Sequence, residues 1–404
     1  MKKIFVGLIL LILLTNACAV RAPAAVPTTA VPPTSSPVPT STHTNTPTPT
    51  KTSTPLPPTP TSTLIPTPTS YAVGPDNFPT NVDPLTGMAV SDAGLLERRP
   101  MAVKVQLYPR GQRPVWGVSQ ADIVYDYYQN DGLTRLNAIF YGKDASEIGP
   151  VRSARLFDEN IIRVYKAIFA FGGAADYVLR RFYSSDYADH LVTEGANRCP
   201  PMCRKDPNGY NFLFTSSPDL TVYGKEKGLQ DGRQDLDGMS FDSLVPAGGQ
   251  LGEQIFTRYS ISSYNRWDYN PTSGKYLRFQ DTREDNSGQG EGYDPMIDGG
   301  TDQQIAADNV VVLYLPHQSA NITGNKKAID ILFSGSGEAY AFRDGQAFPV
   351  IWNRPTRDSV PFLTFEDGTP YPYKPGTTWY QVIGISSTLA NPETGIWRFN
   401  SRLP

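Results

Sequence analysis

Hydrophobic and polar positions alternate along much of the first half of the chain with the period of β-strands. Residues 101–107 (MAVKVQL) alternate in this way, and residues 134–141 (TRLNAIFY) form a second β-rich run. Residues 121–128 (ADIVYDYY) fit either a strand or a short helix, while residues 167–171 (AIFAF) fit a buried strand that two glycines close. Because successive side chains of a strand point to opposite faces, these runs predict a sheet.

Two segments of the same half have helical spacing. Residues 156–165 place Ile161, Ile162 and Val164 on one apolar side, and residues 175–183 form the second predicted helix. Strands interleaved with helices predict an α/β or α+β N-terminal domain.

From about residue 256 onward the pattern is almost entirely that of short strands. An Asp-Gly pair at residues 344–345 separates two of them, and this dipeptide is a strong hairpin signal. Regular spacing with turn residues predicts a mostly antiparallel β C-terminal domain, built as a sandwich or a twisted sheet. The predicted strands are residues 257–264, 276–280, 310–315, 328–333, 339–342, 347–352 and 378–383.

The N-terminus has the pattern of an export signal. Two lysines precede an apolar run at residues 4–14, which is about half the length needed to span a bilayer. The run ends in Ala17 and Cys18, an arrangement that resembles the bacterial lipoprotein signal, although Thr15 departs from the usual leucine. The resemblance implies cleavage before Cys18 and lipidation of its thiol, which would anchor the protein to the membrane. An ordinary cleaved signal peptide is the alternative.

A stalk is predicted next. Residues 21–70 contain 14 Pro, 16 Thr and 6 Ser, and Arg21 and Lys51 are their formally charged side chains. This low-complexity composition cannot bury enough apolar surface to offset the entropy of ordering, so we expect a disordered, extended segment. The predicted organisation is a signal peptide at 1–17, a disordered stalk at 18–78, an N-terminal domain at 79–245, a C-terminal domain at 246–386 and a C-terminal tail at 387–404.

Charge and cysteine content narrow the function classes. The net charge is −3, from 36 Lys and Arg against 39 Asp and Glu, which argues against a nucleic-acid binder. Three Cys and three His predict neither a metal centre nor a cofactor. In an exported protein, Cys199 and Cys203 predict a small disulfide loop, with metal binding near His190 or a free thiol as the alternatives.

Several strings resemble the YerB-like family of bacterial lipoproteins. In the first half these are DPLTG at 83–87, RRP at 98–100, RP at 113–114, GVSQADIVY at 117–125, GLTR at 132–135 and IGPVRSAR at 148–155. In the second half they are GKYLRF at 274–279, GSG at 335–337 and PGTTW at 375–379. The resemblance covers residues 81–384, and the string GPVRSAR is its most specific part.

The resemblance implies two domains of unknown function outside the cytoplasm and supplies no established reaction. The sequence departs from the family at two places. Asp126 stands where the family more often has glutamate, and Tyr210-Asn211 stands where it tends to have His-Asn.

An arginine-rich cluster is the leading candidate site. Arg152 and Arg155 flank Ser153 just before a predicted helix, where guanidinium and backbone N–H groups suit a carboxylate or phosphate ligand. Ion pairs that hold loops to the sheet are the alternative. The candidate ligand-binding residues are Asp122, Asp126, Arg135, Arg152, Ser153, Arg155 and Asn211.

These features favour an envelope binding or scaffolding module, whose partner would be an anionic small ligand, a cell-wall component or an envelope protein. The alternative is an envelope hydrolase that acts on a glycan or peptide with Asp122 or Asp126 as acid or base. A Ser-His-Asp triad is disfavoured, because the histidines are His43, His190 and His317 and no nucleophile elbow surrounds a serine. Catalysis is left open, with a non-catalytic role favoured.

Overall fold

The computed structural model describes residues 71–195, 199–206, 211–229, 232–286, 290–320 and 328–403. These residues belong to one compact unit. The predicted signal peptide, Cys18, Tyr210 and the stalk up to residue 70 lie outside the described residues. None of the described helices is both long enough and apolar enough to cross a bilayer.

Strands dominate the described part, so the chain is mostly β. The longer strands are β1 Met101–Gln106, β2 Ile123–Asn130, β3 Leu133–Phe140, β4 Ile168–Phe171, β5 Leu191–Thr193, β6 Gln250–Arg258, β7 Tyr264–Asn270, β8 Lys275–Asp281, β9 Asn309–Leu315, β10 Gly335–Arg343, β11 Gln346–Arg354, β12 Thr378–Gly384 and β13 Gly395–Asn400. The α-helices are α1 Asp158–Tyr165, α2 Asp176–Tyr183 and α3 Ser217–Glu226.

Shorter elements complete the described structure. The short strands are Ala72–Val73, Cys203–Arg204, Leu213–Phe214, Ser240–Asp242, Tyr293–Pro295, Ile297–Asp298, Gln303–Gln304, Ala306–Ala307, His317–Ala320, Ala328–Ile331, Phe362–Thr364, Pro372–Tyr373 and Thr388–Ala390. The 3₁₀ turns are Ala93–Glu97, Arg110–Gln112, Val118–Gln120 and Ala188–His190.

A mixed central sheet joins strands from both halves of the sequence. Its spatial order is β5-β4-β1-β3-β2-β12-β9-β10-β11. The pairs β4–β5, β1–β4, β2–β12 and β9–β12 are parallel, and the remaining neighbours are antiparallel. The link between the halves is β2 with β12, where Ile123 lies opposite Thr378 and Tyr127 opposite Val382.

The central sheet has a buried core on each face. On one face, Tyr125 and Tyr127 of β2 pack with α1 and α2. On the other face, Val124 packs with Trp267 of β7 and Phe399 of β13. The alternation of side chains along β2 assigns neighbouring residues to different cores, as the period of a strand requires.

A second sheet covers the latter face. Its order is β13-β6-β7-β8, in which β6 and β13 are parallel. Residues 387–404, expected as a tail, supply β13 and the Thr388–Ala390 strand, because Trp397 and Phe399 bury their rings in this core. Ordered structure also begins earlier than residue 79, since Ala72–Val73 pairs with Phe241 and Asp242.

The structure bears out part of the predicted strand pattern and corrects one strand. The segment that fits either a strand or a short helix forms the strand Ile123–Asn130, and Asp344 and Gly345 make the predicted turn between β10 and β11, with φ of 50° and 72°. The prediction of one strand at 257–264 is wrong. A turn interrupts it after Arg258, where the Ser260 hydroxyl accepts hydrogen bonds from the backbone N–H groups of residues 262 and 263.

Candidate functional site

A buried polar cluster lies on the face of the central sheet that packs against α1. Lys104 comes from β1, Tyr127 from β2 and Asn137 from β3, while Asp158 is the first residue of α1. All four residues are fully buried. Lys104 lies directly opposite Asn137 in the β1–β3 register, so their side chains share one face.

Asp158 is the acceptor at the centre of this cluster. Its Oδ1 accepts hydrogen bonds from Asn137 Nδ2 at 2.8 Å, from Lys104 Nζ at 3.3 Å and from the Tyr127 hydroxyl. Its Oδ2 accepts the backbone N–H of Arg155 at 2.7 Å. An acidic side chain in the first turn is also favoured by the dipole of α1.

Lys104 donates to both Asp158 and the Tyr127 hydroxyl, and its Nζ lies 3.8 Å from the centre of the Tyr127 ring. Burial lowers the pKa of the Lys104 ammonium from 10.5 to about 7. The attraction of Asp158 opposes this shift, while the positive charges of Arg135 and Arg155 reinforce it. Burial therefore favours the neutral amine of Lys104.

Three partly exposed arginines lie near this buried polar cluster: Arg135, Arg152 and Arg155. Arg135 donates through Nη1 to the Ser153 carbonyl oxygen at 2.7 Å. Arg155 donates to Asn130 Oδ1 at 2.8 Å and to the Ala154 carbonyl oxygen at 2.8 Å. These acceptors carry no formal charge, so neither guanidinium is neutralised by the groups to which it donates.

The arginines also act on one another. Burial, together with repulsion from Arg155 and Arg152, lowers the pKa of Arg135 from 12.5 to about 9. The backbone N–H of Arg152 donates to the Lys104 carbonyl oxygen at 2.8 Å, which fixes this segment beside β1. The structure thus brings Arg135 and Arg155 within electrostatic reach of Lys104, and it places the backbone of Arg152 and Ser153 against β1 and Arg135.

Asp126 lies on the opposite face of the sheet from the arginine cluster. Its Oδ2 accepts a hydrogen bond from Arg278 Nη2 at 2.7 Å, and both side chains are fully buried. It follows Tyr125 and precedes Tyr127 in β2, so the period of the strand turns its side chain away from the face that carries Lys104. The expectation that Asp126 accompanies Arg152 and Arg155 is therefore wrong.

Asp122 occupies a third location. Its Oδ2 accepts the backbone N–H groups of Tyr141 at 2.6 Å and Gly142 at 2.9 Å. Burial raises the pKa of Asp122, and burial together with the charge of Asp122 raises the pKa of Asp83. Asp122 therefore stabilises the turn after β3 and forms an acidic pair with Asp83. It is not part of the cluster of Arg135, Arg152 and Arg155.

The remaining predicted residues lie beyond β5. The backbone carbonyl oxygen of Asn211 accepts a hydrogen bond from Arg204 Nη1 at 3.3 Å. Cys199 and Cys203 are bonded to each other, with their Cα atoms 4.8 Å apart. Among the described residues, no group of three or more His, Cys, Asp or Glu side chains is arranged to hold a metal ion.

A cleft elsewhere provides a contrast to the arginine cluster. It has a volume of about 510 Å³ and contains Arg110, Arg113 and Asp281 in its wall. Arg110 Nε lies 2.5 Å and Arg113 Nη2 3.2 Å from Asp281 Oδ1. Both arginines bond to the buried carboxylate of Asp281, whose charge offsets one of their two positive charges.

Sequence reasoning missed Lys104, Tyr127, Asn137 and Asp158. One signal was present, because Lys104 interrupts the apolar run of residues 101–107 within a strand whose residues are all buried. A charged residue in such a strand requires a partner, so it marks a polar site. Its partners come from three other elements, which spacing along the chain does not identify.

With this fold and this cluster established, the chain can be assigned to a class. Family models for the N-terminal and C-terminal domains of proteins of unknown function (DUF3048) match residues 85–230 and 255–380. The chain belongs to this family, which confirms the resemblance stated from the sequence. The two matched segments are consistent with a two-domain layout.

The chain is similar to the putative lipoprotein YerB of Bacillus subtilis (strain 168). The two are 24% identical over 314 residues, which cover 76% of this chain and 88% of YerB. The crystal structure of Bacillus subtilis YerB superimposes with a TM-score of 0.58 at 23% identity, and covers 75% of this chain and 96% of that one. The structural match shows a shared fold.

Proposed function

We propose that this protein is a lipid-anchored, extracytoplasmic binding protein that captures an anionic ligand at the cluster of Lys104, Arg135, Arg152 and Arg155. One observation carries the proposal. Lys104 is bonded to the buried carboxylate of Asp158, and the positive charges of Arg135 and Arg155 act on that lysine. A carboxylate or phosphate would offset the excess positive charge.

The chemistry of guanidinium groups supports this class of ligand. Each guanidinium presents donors in a planar fork that matches two oxygen atoms of a carboxylate or phosphate. Arg135 and Arg155 use main-chain and amide oxygens as their acceptors, and these bonds exchange more easily than pairs with a carboxylate. Partial exposure of the arginines gives a ligand access from solvent.

The anchoring part of the proposal rests on the N-terminal sequence and on the name of the relative. Residues 4–14 followed by Ala17 and Cys18 have the order of a lipoprotein signal. The similar Bacillus subtilis protein is named a putative lipoprotein. Lipidation at Cys18 would hold domains at residues 79–245, of α/β type, and 246–386 above the membrane through the stalk.

Binding is tested by calorimetric titration of the full chain with inorganic phosphate and, separately, with acetate at low ionic strength. We expect heat of binding for at least one anion, and an at least 10-fold loss of affinity in Arg155→Gln. Arg180→Gln is the matched control, because Arg180 is an exposed arginine on α2. Equal affinity in wild type and Arg155→Gln, or no binding of either anion, would refute the proposal.

A further inference from the structure

The cleft that contains Arg110 and Arg113 is built from both segments that the family models match. Arg110 and residues 113–115 come from the first segment, while residues 280–282 and 294–297 come from the second. Its volume of about 510 Å³ lies within the range of small-ligand sites, which often form where two domains meet. The cleft therefore has the size and the place of a binding site.

The two walls of the cleft are joined at one end. Val115 forms an isolated parallel bridge with Asp298, and the N–H of Gly299 donates to the Val115 carbonyl oxygen at 2.7 Å. The Asp298 carboxylate also accepts the backbone N–H groups of Gly117 at 2.9 Å and Ser119 at 2.8 Å. The residues that line the cleft precede this junction on both walls, so the junction holds the walls in place without filling the cleft.

One wall carries a guanidinium group with free donors. The side chains of Arg110 and Arg113 are 20% and 19% exposed, whereas that of Asp281, which accepts from both, is 1% exposed. Arg110 also donates through Nη2 to the carbonyl oxygens of Ser262 at 2.9 Å and Arg283 at 3.0 Å. Its Nη1 has no hydrogen-bond partner among the described residues, and Asp281 offsets only one of the two positive charges.

The other wall offers a backbone acceptor. The N–H of Thr282 donates to the Gly292 carbonyl oxygen at 3.0 Å, and the N–H of Met296 donates to the Arg278 carbonyl oxygen at 3.0 Å. Because inward and outward backbone groups alternate in an antiparallel strand, the carbonyl oxygen of Pro295 lies on the side away from β8. Proline has no N–H group, so this position of the sheet edge presents an acceptor alone.

We propose that the cleft binds the C-terminal end of an extended apolar peptide that has a free carboxylate. The carboxylate bonds to Arg110 Nη1, and a backbone N–H of the peptide donates to the Pro295 carbonyl oxygen. Addition of a strand to a sheet edge is a recurrent mode of peptide recognition. The apolar side chains of the peptide contact Pro114, Val115, Met296 and Ile297. This site is separate from the cluster around Lys104, so the inference does not rest on the proposed function.

The charges of the cleft favour a ligand with one negative charge. Asp294 also lines the cleft, is exposed, and forms no ion pair with Arg110 or Arg113 in the described structure. Its carboxylate repels further negative charge on a ligand, which disfavours phosphate and other multiply charged anions. A terminal carboxylate places its single charge beside Arg110 and leaves the rest of the peptide neutral.

The test compares two peptides that differ in one group. An N-acetylated tetrapeptide of alternating alanine and valine is titrated into the full chain in detergent by calorimetry, once as the free acid and once as the C-terminal amide. We expect the free acid to bind roughly 10-fold more tightly or better, because a hydrogen bond between two charged groups is among the strongest. The comparison uses the wild type and requires no variant to fold.

Variants and a modified peptide locate the two contacts. Arg110→Gln should remove the difference between acid and amide, while Arg180→Gln, on the exposed side of α2, should keep it. A free acid whose backbone nitrogens are methylated cannot donate to Pro295, so it should bind roughly 10-fold less tightly or worse. Excess inorganic phosphate should leave binding of the free acid unchanged.

Each contrary result overturns the inference. Absence of binding by either peptide, or equal affinity for acid and amide, would reject recognition of a terminal carboxylate. A preference for the acid that persists in Arg110→Gln would place the carboxylate outside the cleft, and undiminished binding of the methylated peptide would reject strand addition. Displacement by phosphate would place the peptide at Arg135 and Arg155 instead. Failure of peptide binding leaves the proposed anion site intact, because that site is tested by phosphate and acetate.

Discussion

Replacement of Lys104 by methionine should change how the stability of the protein depends on pH. Methionine has a similar length and fills irregular spaces well, so the substitution removes the charge with little change in packing. The Lys104 ammonium has its pKa lowered to about 7 in the folded protein, against 10.5 when exposed to water. Between these two values the unfolded chain binds more protons than the folded protein does.

The sign and the size of the effect follow from this difference. Because the unfolded state holds the extra proton, the free energy of unfolding of the wild type rises with pH from 7 towards 10.5. The pKa of Lys104 differs between the two states by the step from 10.5 to about 7. This difference corresponds to roughly 5 kcal/mol, since each pKa unit is worth about 1.36 kcal/mol. Between pH 7 and pH 9 the rise assigned to Lys104 is about 2 kcal/mol, because the lysine is only half deprotonated at the start.

The assay is urea unfolding followed by tryptophan fluorescence at pH 7, 8 and 9, since Trp267 and Trp379 are fully buried. The quantity of interest is the stability of the wild type minus that of Lys104→Met at each pH. This subtraction removes the contribution of Arg135, whose pKa of about 9 is caused by burial and by other arginines. Lys225→Met, at an exposed position, should keep the slope of the wild type.

A wild-type rise that persists undiminished in Lys104→Met would refute the reasoning. It would mean that the ammonium of Lys104 is solvated in the folded protein, or that Asp158 compensates its burial fully.

Three further predictions concern other parts of the chain. Burial raises the pKa of Asp83 and Asp122, so the folded protein binds more protons than the unfolded chain does. The free energy of unfolding should therefore fall as the pH rises above the ordinary pKa of an aspartate. In urea unfolding between pH 4 and pH 8, Asp83→Asn should reduce that fall. Cys18→Ser should move the protein from the membrane fraction to the soluble fraction, and retention with carbonate-washed membranes would contradict lipidation. Alkylation of the denatured mature protein with and without reductant should differ by two labels on Cys199 and Cys203, and equal labelling would reject the bridge.

The sequence predicts local structure in this protein better than it predicts partners. The residue pattern located β1 and β3 to within one residue but left β2 open between strand and helix, and the Asp-Gly pair located the turn at Asp344 and Gly345. Helix α3 was missed, although Ser216 caps it by accepting the backbone N–H of Asp219, and Pro218 stands in its first turn. These are recognised start signals for a helix, and a strand-like neighbourhood obscured them.

Partners were missed because they depend on strand register and on sheet order. Asp126 pairs with Arg278, which is 152 residues away in the chain. No pattern near either residue indicates that β2 and β8 face one another across the core. The arginine cluster was predicted because its members lie within 21 residues of one another, from Arg135 to Arg155. Its central lysine, on a strand 31 residues earlier, was not.

The two faces of β2 carry charged networks of different character, and this contrast decides which one is assigned a function. On one face, Asp126 and Arg278 are both fully buried, and the Arg278 guanidinium lies 4.4 Å from the ring centre of Trp379. One charge matches one charge there, and that pair joins the central sheet to the second sheet. On the other face, Asp158 is bonded to Lys104, and the charges of Arg135 and Arg155 act on that lysine. A buried pair with matched charges needs no ligand, whereas an excess of cations that reaches the surface lowers its own repulsion when an anion binds.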